Sequence, residues 1–160
     1  MIDDTVEVRT AVEGDTDGIM ALAPRLAEGA AAWRDRWAVV RAARAWPADS
    51  LAAVAEGKAA VFVAVRGAVV VGVVAVEEQR HFTGVVDGYV GELAVASDAS
   101  RQGVGRRLMT VAEDWARCRG LRYVTLQTGA ANTTARRFHG ALGYQQEEVR
   151  LTRALGEDAD

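Results

Sequence analysis

The sequence predicts an α/β (α+β) fold, a mixed and mostly antiparallel sheet with helices on both faces, and three observations predict it. Two Val-rich runs, residues 59–65 and 68–77, are separated only by Arg66-Gly67, the pattern of an antiparallel hairpin. Residues 89–95, 104–119 and 122–128 read strand, helix, strand, and such a crossover places its two strands parallel. Helical periodicity precedes the hairpin and returns after the crossover, which supplies a helical layer for each face of the sheet.

Each element follows in turn. Residues 6–9 alternate Val with polar residues, as a short first strand does. Residues 15–27 place Ile19, Leu22, Ala23 and Leu26 at helical spacing, with Asp15 or Thr16 as the cap. A second helix is expected over residues 30–45, stopped by Pro47, and a short third over 49–55 ending at Gly57. After the hairpin, Gly84 to Val86 and Asp87-Gly88 interrupt the pattern before the strand 89–95. In the crossover helix, Val104, Leu108, Val111, Ala112 and Trp115 form one apolar stripe, and Gly120 ends it. A last helix covers residues 132–142, with Ala135, Phe138 and Leu142 inward and Gly143 as its stop. Residues 144–152 are expected to extend again, and the acidic tail 156–160 to fray.

Composition narrows the function. With 160 residues, 50% hydrophobic and 26% charged, the chain reads as one domain over residues 1–155. Nineteen basic against 22 acidic residues give a net charge of −3, without the basic face that nucleic-acid binding needs. No apolar run approaches the ~20 residues of a membrane span, and the first residues carry acids instead of an apolar leader. Cys118 is the only cysteine, so no internal disulfide forms, and a reducing, cytoplasmic setting is expected. Cys118 lies near a helix C-terminus, where the dipole raises a thiol pKa and disfavours a nucleophilic role.

Chemistry concentrates where the strand 89–95 gives way to the loop Ser100-Arg101-Gln102-Gly103-Val104-Gly105 and the crossover helix. Free N–H groups at a helix start favour a phosphate, glycines permit close backbone approach, and Arg101, Arg106 and Arg107 add positive charge. Taken alone, the G-x-G pair marks an ordinary tight turn as readily as a nucleotide site. On the preceding strand, alternation puts Leu93 and Val95 toward the core helix and Glu92 and Ala94 on the other face. Glu92 is then either a solvent-facing strand carboxylate or a general base, with Glu77 or Glu78 as the alternative.

This strand, loop and helix resemble the acetyl-CoA-binding segment of the GCN5-related N-acetyltransferase (GNAT) family, whose loop is usually Q/R-x-x-G-x-G/A. A second segment is similar too: Asn132, Ala135, Phe138-His139 and Gly143-Tyr144 stand against the family's Asn, Ala, Phe-Tyr and Gly-Phe. The order agrees over residues 6–155. The resemblance implies that strands 89–95 and 122–128 splay and admit acetyl-CoA as co-substrate. It also implies that the backbone of Leu93, Ala94 and Val95 holds the acetyl carbonyl and pantetheine. Arg101, Gln102, Gly103, Val104, Gly105 and Arg106 would hold the pyrophosphate, with Asn132 also at the cofactor.

Two positions depart from the family pattern: Ser100 replaces Gln or Arg, and His139 replaces the Tyr that protonates the departing thiolate. His139 is either that acid or a helix histidine without a role. Trp33, Trp37 and Trp46 cluster where the family shapes its acceptor pocket, with Trp33 and Trp37 on one face of the expected helix; core or dimer packing is their competing use. The resulting expectation is direct acetyl transfer to a primary amine of a small molecule or peptide, with Glu92 as base, His139 as acid and no metal. The rival is an acetyl-CoA-binding sensor or assembly module that has lost its acid.

Overall fold

The computed structural model describes residues 5–156. Its sheet has the order β1 (Val6–Thr10), β2 (Ala59–Arg66), β3 (Val69–Arg80), β4 (Val86–Val95) and β5 (Val124–Leu126). The first four strands pair antiparallel with their sequence neighbours, and β4 pairs parallel with β5. Two helices, α1 (Thr16–Leu26) and α2 (Arg36–Ala55), precede the hairpin; α3 (Val104–Cys118) crosses from β4 to β5, and α4 (Thr133–Ala141) follows.

Alternation along the central strands builds two cores. Val74, Val76 and Val90 face α3 and meet Val104, Leu108, Met109 and Ala112, while Val61, Val63, Val73, Ala75 and Ala94 face Ile19, Leu22 and Trp46 of α1 and α2. Both sheet faces are therefore apolar, which accounts for the unbroken Val-rich runs. Gly72 and Gly88 let α3 approach: a Cβ at Gly72 would stand 2.9 Å from Leu108, and one at Gly88 3.0 Å from the Ala116 Cβ.

Several expectations are corrected. One continuous helix, α2, replaces the two expected over 30–45 and 49–55. It begins where the Asp35 carboxylate accepts from the backbone N–H groups of Trp37 (2.8 Å) and Ala38 (3.4 Å). Pro47 does not stop it. Its ring is buried beside Trp46, and that packing offsets the ~3 kcal/mol an interior proline costs a helix. Asp15 precedes α1 but makes no cap; its carboxylate accepts from the Val12 N–H at 2.8 Å and from both guanidinium ends of Arg9.

Further along, the hairpin turns one residue later than expected, on Gly67-Ala68, with Gly67 at φ 60°. Asp87-Gly88 stays within β4, because the break lies at His81–Val85, where the His81 N–H donates to the Val85 carbonyl (2.8 Å). β5 is shorter than its expected range. Residues 144–155 form no strand, and Val149, Leu151 and Leu155 lie exposed there, with no sheet face to bury them. Beyond residue 156 the acidic tail falls outside the described residues.

Candidate active site

The sheet opens at one place. Registered pairing between β4 and β5 ends at Val90↔Leu126, yet β4 continues to Val95, so residues 91–95 run past their parallel partner. Their side chains are occupied, with Leu93 and Val95 in the α3-side core and Ala94 in the other. Their backbone edge is what faces the gap, and unpaired backbone groups of this kind suit an extended, amide-bearing ligand. Arg25 on α1 fixes the end of the strand, donating from Nε to the Val95 carbonyl at 3.0 Å.

Just beyond lies the start of α3. Gly103 is its N-cap, with left-handed backbone at φ 77°, and Arg101 two residues earlier is also left-handed at φ 62°. For a residue with a Cβ that conformation costs roughly 1–2 kcal/mol. The first helical bond runs from the Arg107 N–H to the Gly103 carbonyl, so the amides of residues 104–106 have no helical acceptor. A Cβ on Gly103 would meet nothing within 4 Å, whereas one on Gly105 would stand 3.1 Å from Phe138 Cζ. The two glycines thus serve different ends: Gly103 borders open space, and Gly105 makes room for α4.

Free amides, open space at Gly103, and the exposed Arg101 and Arg106 together fit a pyrophosphate. Gln102 is tied elsewhere: its Oε1 accepts from Arg66 (2.7 Å) and its Nε2 donates to the Asp98 carbonyl (3.0 Å). Asn132 is committed as well, its Oδ1 capping α4 through the Ala135 N–H at 3.1 Å. Both steady the loops around the gap. Gly29 packs against Asn132 and Gly129, so the segment after α1 lies on the turn before α4.

The second half of the site is on the opposite face of β4. Gly91 bulges out of the β3–β4 ladder, where Ala75 pairs with Glu92 and Val76 with Val90. The extra residue reverses the alternation, so Val90 faces α3 while Glu92 faces α2. There Glu92 lines a cavity of about 200 Å³ together with Glu77, Tyr89, Ala75, Trp46 and Asp49. Burial pushes the Glu92 carboxyl up to about 7, helped by the neighbouring charges of Glu77 and Asp49. Tyr89 is raised for the same reasons, chiefly burial and then the charge of Glu92. Glu78 points elsewhere, accepting from Arg119 Nε at 2.7 Å.

His139 on α4 is only 9% exposed, edge-on to both Phe138 and Tyr144, and its Nδ1 has no partner. Burial lowers its pKa and so favours the neutral ring. Tyr144 is also engaged, donating to Glu113 at 2.9 Å. Trp33 and Trp37 do not share a helix face, because Trp33 precedes Asp35 and lies outside α2. At 70% and 74% exposed they stand apart from the residues that line the cavity; the tryptophan that does line it is Trp46.

This arrangement, a short parallel pair that β4 outlasts and free amides at the start of the following helix, agrees with the family comparison, in which residues 27–144 match the acetyltransferase (GNAT) family. The chain belongs to the GNAT family. Acetyl transfer is accordingly the general reaction of its fold. No curated protein matches the chain in sequence. Among solved structures it is similar to a transcriptional regulator from Bacillus halodurans C-125 (22% identity, TM-score 0.70, covering 94% of this chain and 100% of that one). It is also similar to an aminoglycoside antibiotic 6′-N-acetyltransferase from Acinetobacter haemolyticus (17%, 0.72, 95% and 99%). A third is an aminoglycoside N-acetyltransferase in complex with CoA (19%, 0.73, 95% and 96%). At these identities the likeness speaks for the GNAT fold alone.

Among the lining residues, Asp49 and Tyr89 are ones that sequence reasoning did not place in the site. Alternation from Ala75 marks Glu77 as facing the same way, but nothing in the sequence signals that Gly91 is a bulge. Among the described residues no group of three or more His, Cys, Asp or Glu is arranged to hold a metal, and no helix is long and apolar enough to cross a membrane.

Proposed function

We propose that this GNAT protein transfers the acetyl group of acetyl-CoA to a primary amine of a small molecule, by direct attack in a ternary complex with Glu92 as general base. The observation that carries the reading is the position of Glu92: beside the Gly91 bulge, on the wall of a cavity, with its carboxyl raised to about 7. A base with a pKa near the operating pH is ionised often enough to act and basic enough to take an ammonium proton. Acetyl-CoA supplies the activated acyl group as a thioester. In this reading the amides of residues 104–106, with Arg101 and Arg106, hold its diphosphate, and the backbone edge of residues 91–95 orients its amide-bearing arm. The cavity size and the aminoglycoside-acetylating relatives support a small-molecule acceptor.

His139 has a smaller part here than a family tyrosine would. Donation to a thiolate needs the imidazolium, and burial moves that form below the usual histidine range, while Glu92 must lose its proton near 7. The two required forms, ionised Glu92 and imidazolium, therefore favour opposite sides of neutral pH and coexist poorly. Solvent is then the main proton source for the thiolate near neutral pH. A purely cofactor-binding module has no need of a base in the acceptor cavity, and the same placement of Glu92 weighs against it. The test is a panel of amines offered with acetyl-CoA, with released thiol as the readout. Amine-dependent release that Glu92→Gln suppresses supports the reading; cofactor binding without release from any amine overturns it.

A further inference from the structure

Three elements deliver carboxylates to the acceptor cavity: Asp49 from α2, Glu77 from β3 and Glu92 from β4. No Lys, Arg or His stands among the described residues that line it. The cation whose field reaches Tyr89 is Arg150, from the segment after α4. Trp46, 7% exposed, contributes an aromatic ring to the wall.

Size limits what that occupant is. At about 200 Å³ the cavity falls below the ~300–1,000 Å³ of sites that enclose drug-sized ligands, so it takes a short chain or a single ring. Position limits it further. Glu92 pairs with Ala75 while Glu77 pairs with Tyr89, so the two carboxylates lie on the same face as diagonal neighbours, roughly 7–8 Å apart at the backbone. Together with Asp49 they offer more than one anionic partner, which two amino groups on one short molecule require.

Resting on the acetyl-transfer reading of this site, we propose that the acceptor is a compact dication. The amine to be acetylated lies at Glu92, and a second cationic centre is held by Glu77 and Asp49 against the rings of Trp46 and Tyr89. Glu77 and Asp49 are thereby specificity-determining residues. The second cation also offsets the charges that, after burial, keep Glu92 protonated, so a dication promotes ionisation of its own base. Tyr89 and Arg150 complete the titratable and charged groups around it.

The experiment compares kcat/KM for 1,3-diaminopropane with propylamine, and for 1,4-diaminobutane with butylamine, in wild type, Glu77→Gln, Asp49→Asn, the double variant and Glu77→Lys. Wild type should favour each diamine by tenfold or more. The ratio should fall several-fold in each single variant, approach one in the double variant and invert in Glu77→Lys, which puts a cation where the second amine would sit. The pH midpoint of kcat/KM in Glu77→Gln should also move below that of wild type, a shift that poor folding does not produce. Equal use of monoamines and diamines by wild type, or a preference unchanged in the double variant, overturns the proposal while leaving acetyl transfer standing. Thiol release with none of the four amines counts against the dication, and the wider amine panel decides whether acetyl transfer falls with it.

Discussion

Gly105 lies directly beneath Phe138: a Cβ there would stand 3.1 Å from the Cζ atom and 3.4 Å from Cε2 of the ring. The second glycine of the cradle is thus set by packing between α3 and α4, while the first, Gly103, is set by backbone conformation and open space. Gly105→Val should force Phe138 off its seat and destabilise the fold by about 1–3 kcal/mol, as overpacking does. A melting point several degrees below wild type is the expected result.

Gly103→Val tests the cradle itself. Its φ of 77° makes any side chain costly, yet the new atoms would occupy the space beside the free amides. Wild type at an acetyl-CoA concentration of ~100 Kd should gain about 2.7 kcal/mol. The variant should lose that thermal shift, and an undiminished shift would place the cofactor elsewhere.

Asp15 and Arg9 tie the start of α1 to β1. The carboxylate is nearly buried, accepts at 2.7 and 2.9 Å from the guanidinium and at 2.8 Å from the Val12 N–H, and is held below its ordinary pKa, first by the Arg9 hydrogen bond. Because the folded pKa is depressed, its contribution is present above the unfolded value near 3.8 and is lost as pH falls through the folded one. Asp15→Asn should lower stability by about 1–3 kcal/mol at pH 7 and by less toward pH 3, measured by urea unfolding. An equal loss at both pH values would show that the charge is not what matters.

What the sequence made legible was what periodicity encodes. The hairpin, the α3 stripe and the parallel pair follow from apolar spacing, and the open helix start at Gly103 from its glycine pattern. Three features escaped because tertiary contacts decide them. Pro47 stays helical since the buried Trp46–Pro47 packing outweighs the missing N–H, while the Asp35 cap starts α2 too late to include Trp33 and so separates the expected tryptophan pair. Gly88 reads as a turn residue but serves close packing under Ala116. The bulge at Gly91 swaps the faces of β4, and only with it do Tyr89, Glu77 and Glu92 reach one cavity.

Glu92 links activity and stability with opposite signs. Its folded pKa of about 7 lies above the model-peptide 4.5, so the native state binds the extra proton between those values and stability falls as pH rises through that window. Glu92→Gln should therefore gain on the order of 1–3 kcal/mol relative to wild type above pH 7. Over the same range turnover should drop 10²- to 10⁴-fold, the usual cost of losing a general base. Wild-type kcat/KM should rise with pH around 7. A variant that is neither more stable nor slower would remove Glu92 from the mechanism.

His139 is the position where the expected chemistry and the observed surroundings diverge most. Its ring is enclosed by Phe138 and Tyr144, its Nδ1 lacks a partner, and burial alone lowers its pKa. With the folded pKa below the unfolded 6.5, the unfolded chain binds the proton first, so this group makes the fold less stable as pH falls below 6.5. His139→Phe removes both that acid sensitivity and an unsatisfied polar atom, whose burial costs about 1–3 kcal/mol. The variant should match or exceed wild-type stability at pH 7 and retain more of it at pH 5. In catalysis, solvent as the proton source predicts that kcat of His139→Phe stays within a few-fold of wild type near pH 8 and falls behind only on the acid side, where imidazolium begins to form. His139→Tyr adds an acid available across the whole range, and should exceed both at alkaline pH if the hydroxyl reaches the sulfur. The decisive measurement is the pH profile of kcat at saturating amine for the three proteins. A His139→Phe enzyme slow at every pH would show that the buried imidazole donates its proton after all, with a pKa that the bound cofactor restores.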